Sequence, residues 1–286
     1  MKILITGSSG LVGQALVLFL MAQGHTIIRL GHTRPYASQD LEGVDAVIHL
    51  AGESITQRWT PEQKQKIRES RVNSTLSLAN MMAQLSHPPK VLICASAIGF
   101  YGNRVDEPLT EASAPGHEFL SEVCQAWEAA TQPAQAKDIR VVNLRFGIIL
   151  SPKGGALKQM LPPFQLGMGG PLGSGKQIMS WISLEDVIGV IYHALFTESL
   201  TGPVNTVAPN PVTNSQFSKI LGKVLFRPSF APVPEFAVKL LFGEMGEALL
   251  LSSSQVVPQK LQASGYHFRH PQLEEALRSM LGKSIL

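Results

Sequence analysis

A chain of 286 residues with 44% hydrophobic and 16% charged residues has the composition of a globular protein with one or two domains, which excludes a disordered chain. Its formal net charge of +3 is spread without a block of lysines and arginines, which argues against nucleic-acid binding. No apolar run approaches the roughly 20 residues that span a bilayer, and the amino terminus lacks the apolar core of a signal peptide. The two cysteines cannot form a disulfide framework, so we expect a cytoplasmic protein without membrane contacts.

Short apolar runs alternate with helical stretches along the first half of the chain. The runs are continuous, which is typical of parallel strands buried on both faces. This alternation predicts an α/β fold with a Rossmann-like, doubly wound parallel sheet. The predicted strands cover 2–6, 26–30, 46–51, 91–95 and 140–150, and the predicted helices cover 11–23, 60–85 and 118–131.

Two local patterns refine this prediction. Thr60, Pro61 and Gln63 form the signature of a helix start, with a cap, a proline at the first helical position and a capping-box residue. Only about 13 residues separate the end of the second predicted strand, near Leu30, from Val44, where the apolar stretch of the third strand begins, and this is barely enough for a βαβ crossover. The third strand of the usual order, an edge strand, is therefore expected to be missing.

The composition changes after residue 150. Glycine and proline cluster between 151 and 177, and the tail mixes short segments with helices such as the one predicted at 234–246. We expect a smaller carboxyl-terminal lobe that closes over the carboxyl edge of the sheet, where such folds bind ligands. The predicted division is a dinucleotide-binding domain at 1–150, to which 178–208 returns, and a lobe formed by 151–177 and 209–286.

A glycine-rich loop lies between the first predicted strand and the first helix. In dinucleotide-binding folds the first glycine permits a tight turn, the second lets the backbone approach a pyrophosphate, and the third allows close packing. Glycine turns that bind nothing also occur, but the position between a strand and a helix favours nucleotide binding. The predicted binding loop consists of Gly7, Ser8, Ser9, Gly10, Leu11, Val12 and Gly13.

The residues at the end of the second strand distinguish NAD from NADP. An NAD site has an acidic residue there, whereas a 2′-phosphate requires a basic one. This stretch contains no acid; His32, Thr33 and Arg34 offer hydrogen bonds and positive charge. An arginine here could equally be a solvated surface residue. The sequence predicts NADP as the cofactor, with NAD less favoured.

Two other ligand classes are disfavoured. The glycine stretch 170–176 has the spacing of a P-loop, but Gln177 stands where serine or threonine is needed, and no buried strand precedes it. No group of histidine, cysteine and acidic residues has the spacing of metal ligands, so no metal site is predicted.

Several stretches together resemble the extended short-chain dehydrogenase/reductase superfamily: "TGSSGLVG", "VDAVIHLAG", "ASAIGFYG", "LRFGIIL", "WISLEDV" and "GPVNTVA". More narrowly, "RWTPEQKQKIRESRV", "LPPFQLGMGGPLGSGKQ" and "VPQKLQASGYHFRHPQLEEAL" are similar to epimerase-family proteins that carry the DUF1731 domain, here at about 235–282. The resemblance covers nearly the whole chain and implies a Rossmann-like domain, a small substrate lobe and a dinucleotide cofactor. Within these stretches we also expect cofactor contacts from Leu50, Ala51, Gly52 and Arg145.

The resemblance places the catalytic serine of the superfamily at Ser96, where a hydroxyl would hydrogen-bond a substrate carbonyl or hydroxyl. The superfamily's tyrosine and lysine, in the pattern Y-x-x-x-K, correspond to Leu120 and Cys124 when the helix is registered on Glu128. Neither residue can transfer the proton. Arg71 occupies the position of an asparagine in the related pattern N-V-x-G-T.

Tyr101 lies five residues after Ser96 and is a candidate substitute acid. The alternative is that Tyr101 packs between the lobes as an aromatic wall. Cys124 is disfavoured as a nucleophile because no base flanks it. The residues expected to line the substrate cleft are Glu53, Arg58, Arg71 and Trp181.

Two functions of different classes remain open. One, favoured by the preserved Ser96, Arg145 and the cleft residues from Trp181 to Asp186, is an NADP-dependent oxidoreductase or nucleoside-diphosphate-sugar epimerase of atypical mechanism, acting on a small polar substrate. The other, favoured by the missing tyrosine and lysine, is a non-catalytic module that binds NADP(H) and reports it to a partner. Family analogy further predicts a homodimer through the helices at 60–85 and 118–131.

Overall fold

The computed structural model describes residues 1–31 and 36–283. The first half of the chain forms, in order, β1 (Lys2–Thr6), α1 (Leu11–Ala22), β2 (Thr26–Leu30), α2 (Ser38–Leu41), β3 (Ala46–His49), α3 (Pro61–Gln84), β4 (Val91–Ala97), β5 (Arg104–Leu109), α4 (Phe119–Ala129), α5 (Gln132–Gln135), β6 (Arg140–Phe146) and β7 (Ile148–Leu150). The second half forms α6 (Gly155–Gln165), β8 (Ile178–Met179), β9 (Trp181–Ser183), α7 (Leu184–Phe196), β10 (Gly202–Thr206), β11 (Val212–Thr213), α8 (Asn214–Leu225), α9 (Glu235–Gly246), β12 (Ser254–Val256), α10 (Gln259–Ala263) and α11 (Leu273–Met280).

Six strands form one parallel sheet in the order β10-β6-β4-β3-β1-β2. This confirms the predicted Rossmann-like architecture. Strand β2 is the edge of the sheet, and the described residues contribute no strand beyond it, in keeping with the short crossover at 31–43.

Side chains of the sheet alternate between two buried layers because successive residues of a strand point to opposite faces. Ile3 and Ile5 pack into a cluster with α1 and α7, whereas Leu4 packs into a cluster with α3, α4 and α5. Both faces are therefore covered by helices, which explains why the strands are continuously apolar. No helix among residues 1–31 and 36–283 is long and apolar enough to cross a membrane.

The apolar run at 140–150 forms two strands rather than one. Strand β7 leaves the main sheet and pairs with β9, and Gly147 lies at the break. A Cβ atom at Gly147 would lie 2.5 Å from the Ser180 carbonyl oxygen, so the close approach of these segments requires glycine. Apolar periodicity does not reveal such a change of strand partner.

Helix α3 starts as the sequence predicts, but only half of the expected capping box forms. The Thr60 hydroxyl accepts a hydrogen bond from the Gln63 backbone amide at 3.2 Å. The Gln63 side chain donates instead to the Ser54 carbonyl at 3.3 Å. It thereby ties the loop before α3 to the first turn of the helix.

A third apolar cluster holds the carboxyl-terminal segments together. It joins β9 with α6, α8 and α11, and Trp181 and Phe217 are its largest fully buried side chains. The carboxyl-terminal segments also contact the loop between β4 and β5, because the Ser253 amide, just before β12, donates to Asn103 Oδ1 at 2.9 Å.

Candidate functional site

The loop between β1 and α1 has the geometry that its three glycines predict. Gly7 adopts a φ of +68°, and a Cβ atom there would lie 2.6 Å from the Leu50 carbonyl carbon. A Cβ at Gly13 would lie 2.3 Å from the Gly7 carbonyl oxygen. These two positions require glycine because the loop packs against the end of β3 and against the first turn of α1.

Gly10 is different, since the fold does not need a glycine there. It is exposed, its φ of −75° suits any residue, and a Cβ would meet only the Gly7 oxygen at 3.4 Å, an ordinary contact. A missing side chain at this point leaves open space beside the start of α1. This space would let a pyrophosphate approach the backbone of the loop closely.

The amino terminus of α1 is suited to an anion. Its N-cap residue, Gly10, provides no side-chain acceptor, and the first turn contains no acidic residue. The first amide groups therefore keep their partial positive charge. On one side the Leu11 side chain lies beside the start of α6, because a Cβ at Gly154 would lie 3.2 Å from Leu11 Cδ1. Of the remaining predicted loop residues, Ser9 is exposed and Ser8 and Val12 are half-buried.

The loop after β3, which begins with Leu50, Ala51 and Gly52, is braced by Arg71. The Arg71 guanidinium donates to the Glu53 carbonyl at 2.9 Å and to the Ile67 carbonyl at 3.0 Å. Burial lowers the pKa of Arg71, although the charge of Glu53 opposes this. The structure thus brings Gly52, Glu53 and Arg71 together, but the guanidinium is engaged with backbone carbonyls.

Ser96 lies near the end of β4 beside a buried ion pair. The Arg145 guanidinium donates to Glu128 through Nε at 2.7 Å and Nη2 at 2.8 Å. Ser96 donates its hydroxyl proton to the same carboxylate at 2.7 Å. Burial opposes the charge of Arg145, but the bonds and charge of Glu128 outweigh it and raise the pKa of Arg145. This pairing argues against the expected contact between Arg145 and a cofactor.

Tyr101 is fully buried in the structure. Its hydroxyl donates to Asn205 Oδ1 at 2.6 Å and accepts from Arg145 Nη1 at 2.9 Å. Burial raises the pKa of Tyr101 in spite of the nearby charge of Arg145. These bonds favour the packing alternative over a role in proton transfer.

Leu120 and Cys124 face the turn that follows β4. A Cβ at Gly99 would lie 3.3 Å from Leu120 Cβ and 3.9 Å from Cys124 Sγ. Burial raises the pKa of Cys124 to about 12. The thiol therefore stays protonated at neutral pH and cannot act as a nucleophile or as a base.

Trp181 does not line a cleft, contrary to the sequence-based expectation. It lies in the third apolar cluster, and its indole nitrogen donates to the Asn210 carbonyl at 3.0 Å. Arg58 is exposed, near the start of α3. The residues expected to select NADP lie outside the described part of the chain: His32, Thr33 and Arg34.

Glu128 and Asn205 are the polar partners that the sequence-based prediction missed. The sequence pattern marks Glu128 only as the register of its helix and indicates no role for Asn205. A signal was available for Glu128, because Arg145 lies between Leu144 and Phe146 in a strand predicted to be buried, and a buried charge needs a partner. The sequence alone does not show that Glu128 is this partner, because Glu128 and Arg145 are well separated along the chain.

Comparisons with known proteins agree with this architecture. The profile of the "NAD dependent epimerase/dehydratase family" matches residues 3–205, and that of the "Domain of unknown function (DUF1731)" matches residues 233–280. This chain belongs to the NAD-dependent epimerase/dehydratase family. The resemblance inferred from the sequence is thereby confirmed, including the DUF1731 segment.

Individual members of the epimerase family are similar over nearly the whole chain. The epimerase family protein Mb2239 of Mycobacterium bovis is 41% identical over 288 residues, which cover 96% of this chain and 95% of that protein. The crystal structure of the human epimerase family protein SDR39U1 with NADPH has a TM-score of 0.93 and 32% identity, with 99% of both chains covered. The structure of a nucleoside-diphosphate sugar epimerase from Corynebacterium glutamicum has a TM-score of 0.82 and 37% identity, with 99% of this chain and 58% of that chain covered.

Proposed function

We propose that this protein binds NADP(H), with the diphosphate at the amino terminus of α1. The observation that carries the proposal is Gly10, an exposed glycine that the fold does not require but that a pyrophosphate does. The uncapped first turn of α1 supports it. The human relative crystallised with NADPH, which shares the fold at a TM-score of 0.93, supports the same cofactor.

The preference for NADP over NAD depends on the residues that follow β2. His32 and Arg34 would pair with a 2′-phosphate, and no acidic residue in this stretch would bond the ribose hydroxyl of NAD. An arginine suits a phosphate because its planar guanidinium can donate two parallel hydrogen bonds.

The chain lacks the usual means of moving a proton beside such a cofactor. NADP(H), when bound, would supply or accept a hydride. Leu120 and Cys124 offer no titratable group near neutral pH, and the Tyr101 hydroxyl is bonded to Asn205 and Arg145. We therefore favour a cofactor-binding protein without the tyrosine and lysine relay, in which NADP(H) binding itself is the function.

One observation keeps an enzyme as the second candidate. Because Glu128 is paired with Arg145, its carboxylate accepts hydrogen bonds only, so Ser96 must donate to it. Because its proton is used in this bond, the Ser96 oxygen can only accept a hydrogen bond from a ligand. A substrate at this point would be a small polar molecule with a hydroxyl donor, such as the sugar of a nucleotide sugar.

Calorimetric titration of the full chain with NADPH and NADH tests the first proposal. We expect saturable binding of NADPH and at least tenfold weaker binding of NADH. Failure to bind either nucleotide would refute the proposal. A panel of alcohols, ketones and nucleotide sugars tests the second candidate, since turnover that is lost in Ser96→Ala with NADPH affinity retained would support an enzyme.

A further inference from the structure

The Arg71 guanidinium is half-buried beside the loop that follows β3. It donates one hydrogen bond to the Glu53 carbonyl and one to the Ile67 carbonyl, at 2.9 and 3.0 Å. A guanidinium carries further N–H donors, and the described residues provide no acceptor for these. Nor does any carboxylate of residues 1–31 and 36–283 form an ion pair with Arg71. A half-buried charge in this state would be stabilised by an anion.

Two other arginines show how this protein compensates such a charge. Against the effect of burial, the pair with Glu128 raises the pKa of Arg145. Arg140 donates to carbonyl groups of the last turn of α7, where the negative end of the helix dipole lies. For Arg71, by contrast, burial lowers the pKa. The largest opposing effect would come from Cys124, but that thiol is uncharged at neutral pH because burial raises its pKa to about 12.

The neighbours of Arg71 hold its guanidinium in place. A Cβ atom at Gly52 would lie 3.2 Å from Arg71 Cζ, a tight contact, so a residue without a side chain lets the loop and the guanidinium approach each other. On α4, the centre of the Trp127 ring lies 5.2 Å from Arg71 Cζ, within the range of a cation–π contact. Gly52 is exposed, so a ligand can reach this position from solvent. A donor that is already positioned loses little conformational entropy when a ligand binds.

Arg71 lies on the side of the glycine loop towards which the nicotinamide half of the cofactor would extend. A Cβ at Gly7 would lie 2.6 Å from the Leu50 carbonyl carbon, so the loop after β3 passes the diphosphate site and meets Arg71 two residues later, at Gly52. In the sheet, β2 lies on one side of β1, and β3 and β4 lie on the other. Because the 2′-phosphate would bind at the end of β2, the other half of the dinucleotide would run past β3 towards β4.

We propose that Arg71 binds an oxyanion of a small molecule that occupies the cleft beside the nicotinamide half of the cofactor. The inference rests on the NADP(H) binding proposed above, which supplies the position of the nicotinamide. The oxyanion is a carboxylate or a phosphate, because a planar guanidinium can donate two parallel hydrogen bonds to either group. In that proposal the cofactor's own phosphates have other partners, the amino terminus of α1 and the pair His32 and Arg34. Arg71 therefore selects a second, negatively charged ligand over neutral alcohols and aldehydes.

NMR of the arginine Nε–H groups in the full chain, saturated with NADPH at constant ionic strength, tests this proposal. The probes are lactate, malonate and inorganic phosphate, and lactamide is the neutral counterpart of lactate. We expect at least one anion to shift the Arg71 signal with a Kd of about 1 to 10 mM, and lactamide to bind at least tenfold more weakly.

Variants assign the binding to Arg71. Arg71→Gln should weaken the affinity for that anion at least tenfold, whereas Arg68→Gln, at an exposed arginine of the same helix, should leave it unchanged. Arg71→Lys keeps the charge but loses the paired donors, so it should bind the anion with intermediate affinity. It also provides the comparison with the wild type in case Arg71→Gln does not fold.

Three results would overturn the proposal. One is that no anion shifts the Arg71 signal at concentrations up to about 50 mM. Another is equal anion affinity in the wild type, Arg71→Lys and Arg71→Gln, which would place the anion elsewhere. The third is a tenfold loss of NADPH affinity in Arg71→Gln without anion binding to the wild type, which would assign the guanidinium to a cofactor phosphate. A lactate titration of the nucleotide-free chain separates the two proposals, since a protein that does not bind NADPH can still bind lactate at Arg71.

Discussion

Arg145 and Glu128 form a bidentate ion pair in the interior of the protein, with side chains that are 3% and 12% exposed. The pair links β6 to α4 at the end of the sheet where the loops converge. Ser96 and Tyr101 attach to opposite ends of it, through the carboxylate and the guanidinium. The two candidate catalytic hydroxyls are thus joined in one buried polar network.

Glu128→Gln should strongly destabilise the fold. The change removes the negative charge that compensates the buried Arg145 guanidinium, and breaking a buried pair in this way costs about 3 to 5 kcal/mol. Urea denaturation of the variant and the wild type measures the loss. Glu107→Gln is the control, because Glu107 pairs with Arg104 at the surface and its loss should cost less than about 1 kcal/mol. Equal, small losses in both variants would contradict the importance assigned to the buried pair.

Tyr101→Phe should lower stability without abolishing function. The ring stays in place, but Arg145 Nη1 and Asn205 Oδ1 each lose a buried hydrogen-bond partner, which costs about 1 to 3 kcal/mol. Tyr192→Phe, in a tyrosine whose ring packs on Phe19, is the control and should change stability less. If turnover of any substrate is found, it should survive in Tyr101→Phe. A fall of about 10²- to 10⁴-fold would instead identify Tyr101 as the proton donor.

Stability should rise with pH through the range in which His193 titrates. Burial lowers the pKa of His193 from its ordinary 6.5, against a smaller opposing effect of its bond to Ser264. Between the lowered value and 6.5 the unfolded chain binds a proton that the folded chain does not, so acid favours unfolding. The free energy of unfolding from urea titrations should therefore increase up to about pH 6.5 and then lose this dependence.

His193→Gln should reduce that slope, whereas His87→Gln, at an exposed histidine, should leave it unchanged. The comparison matters because burial also lowers the pKa of His25, so His193 is not expected to account for the whole slope. A slope that is the same in the wild type and in His193→Gln would show that His193 is not the group responsible.

The sheet was predictable because buried parallel strands are continuously apolar. Strands β1 and β2 match the predicted bounds, and the glycine loop follows β1 as expected. The site was predictable only in part. Trp181 lies in an apolar motif that would look the same in the sequence whether it lined a cleft or packed in the core. Only tertiary packing decides between these two positions. The partner of Arg145 is set by how α4 packs on the sheet, which local patterns do not encode.

Arg34→Ala should weaken NADPH binding selectively. Loss of a charge-assisted hydrogen bond to the 2′-phosphate costs about 1 to 3 kcal/mol, and NADH has no such phosphate. Calorimetry with both nucleotides measures the difference. Arg68→Ala, at an exposed arginine of α3, is the control and should bind both nucleotides like the wild type. Parallel losses for NADPH and NADH in Arg34→Ala would argue against recognition of the 2′-phosphate.

The most direct test of NADP(H) binding at the glycine loop is an NADPH titration of Gly10→Ala beside the wild type. The structure has room for the added methyl group, so the free energy of unfolding should stay within about 1 kcal/mol of the wild type. Gly13→Ala, whose methyl would overlap the Gly7 carbonyl, should be much less stable. It serves as the reference for a variant that loses NADPH binding because its loop is disrupted. We predict that Gly10→Ala remains folded and binds NADPH at least tenfold more weakly, a loss of about 1.4 kcal/mol or more. Unchanged NADPH affinity in a folded Gly10→Ala protein would contradict the assignment of the cofactor to this loop.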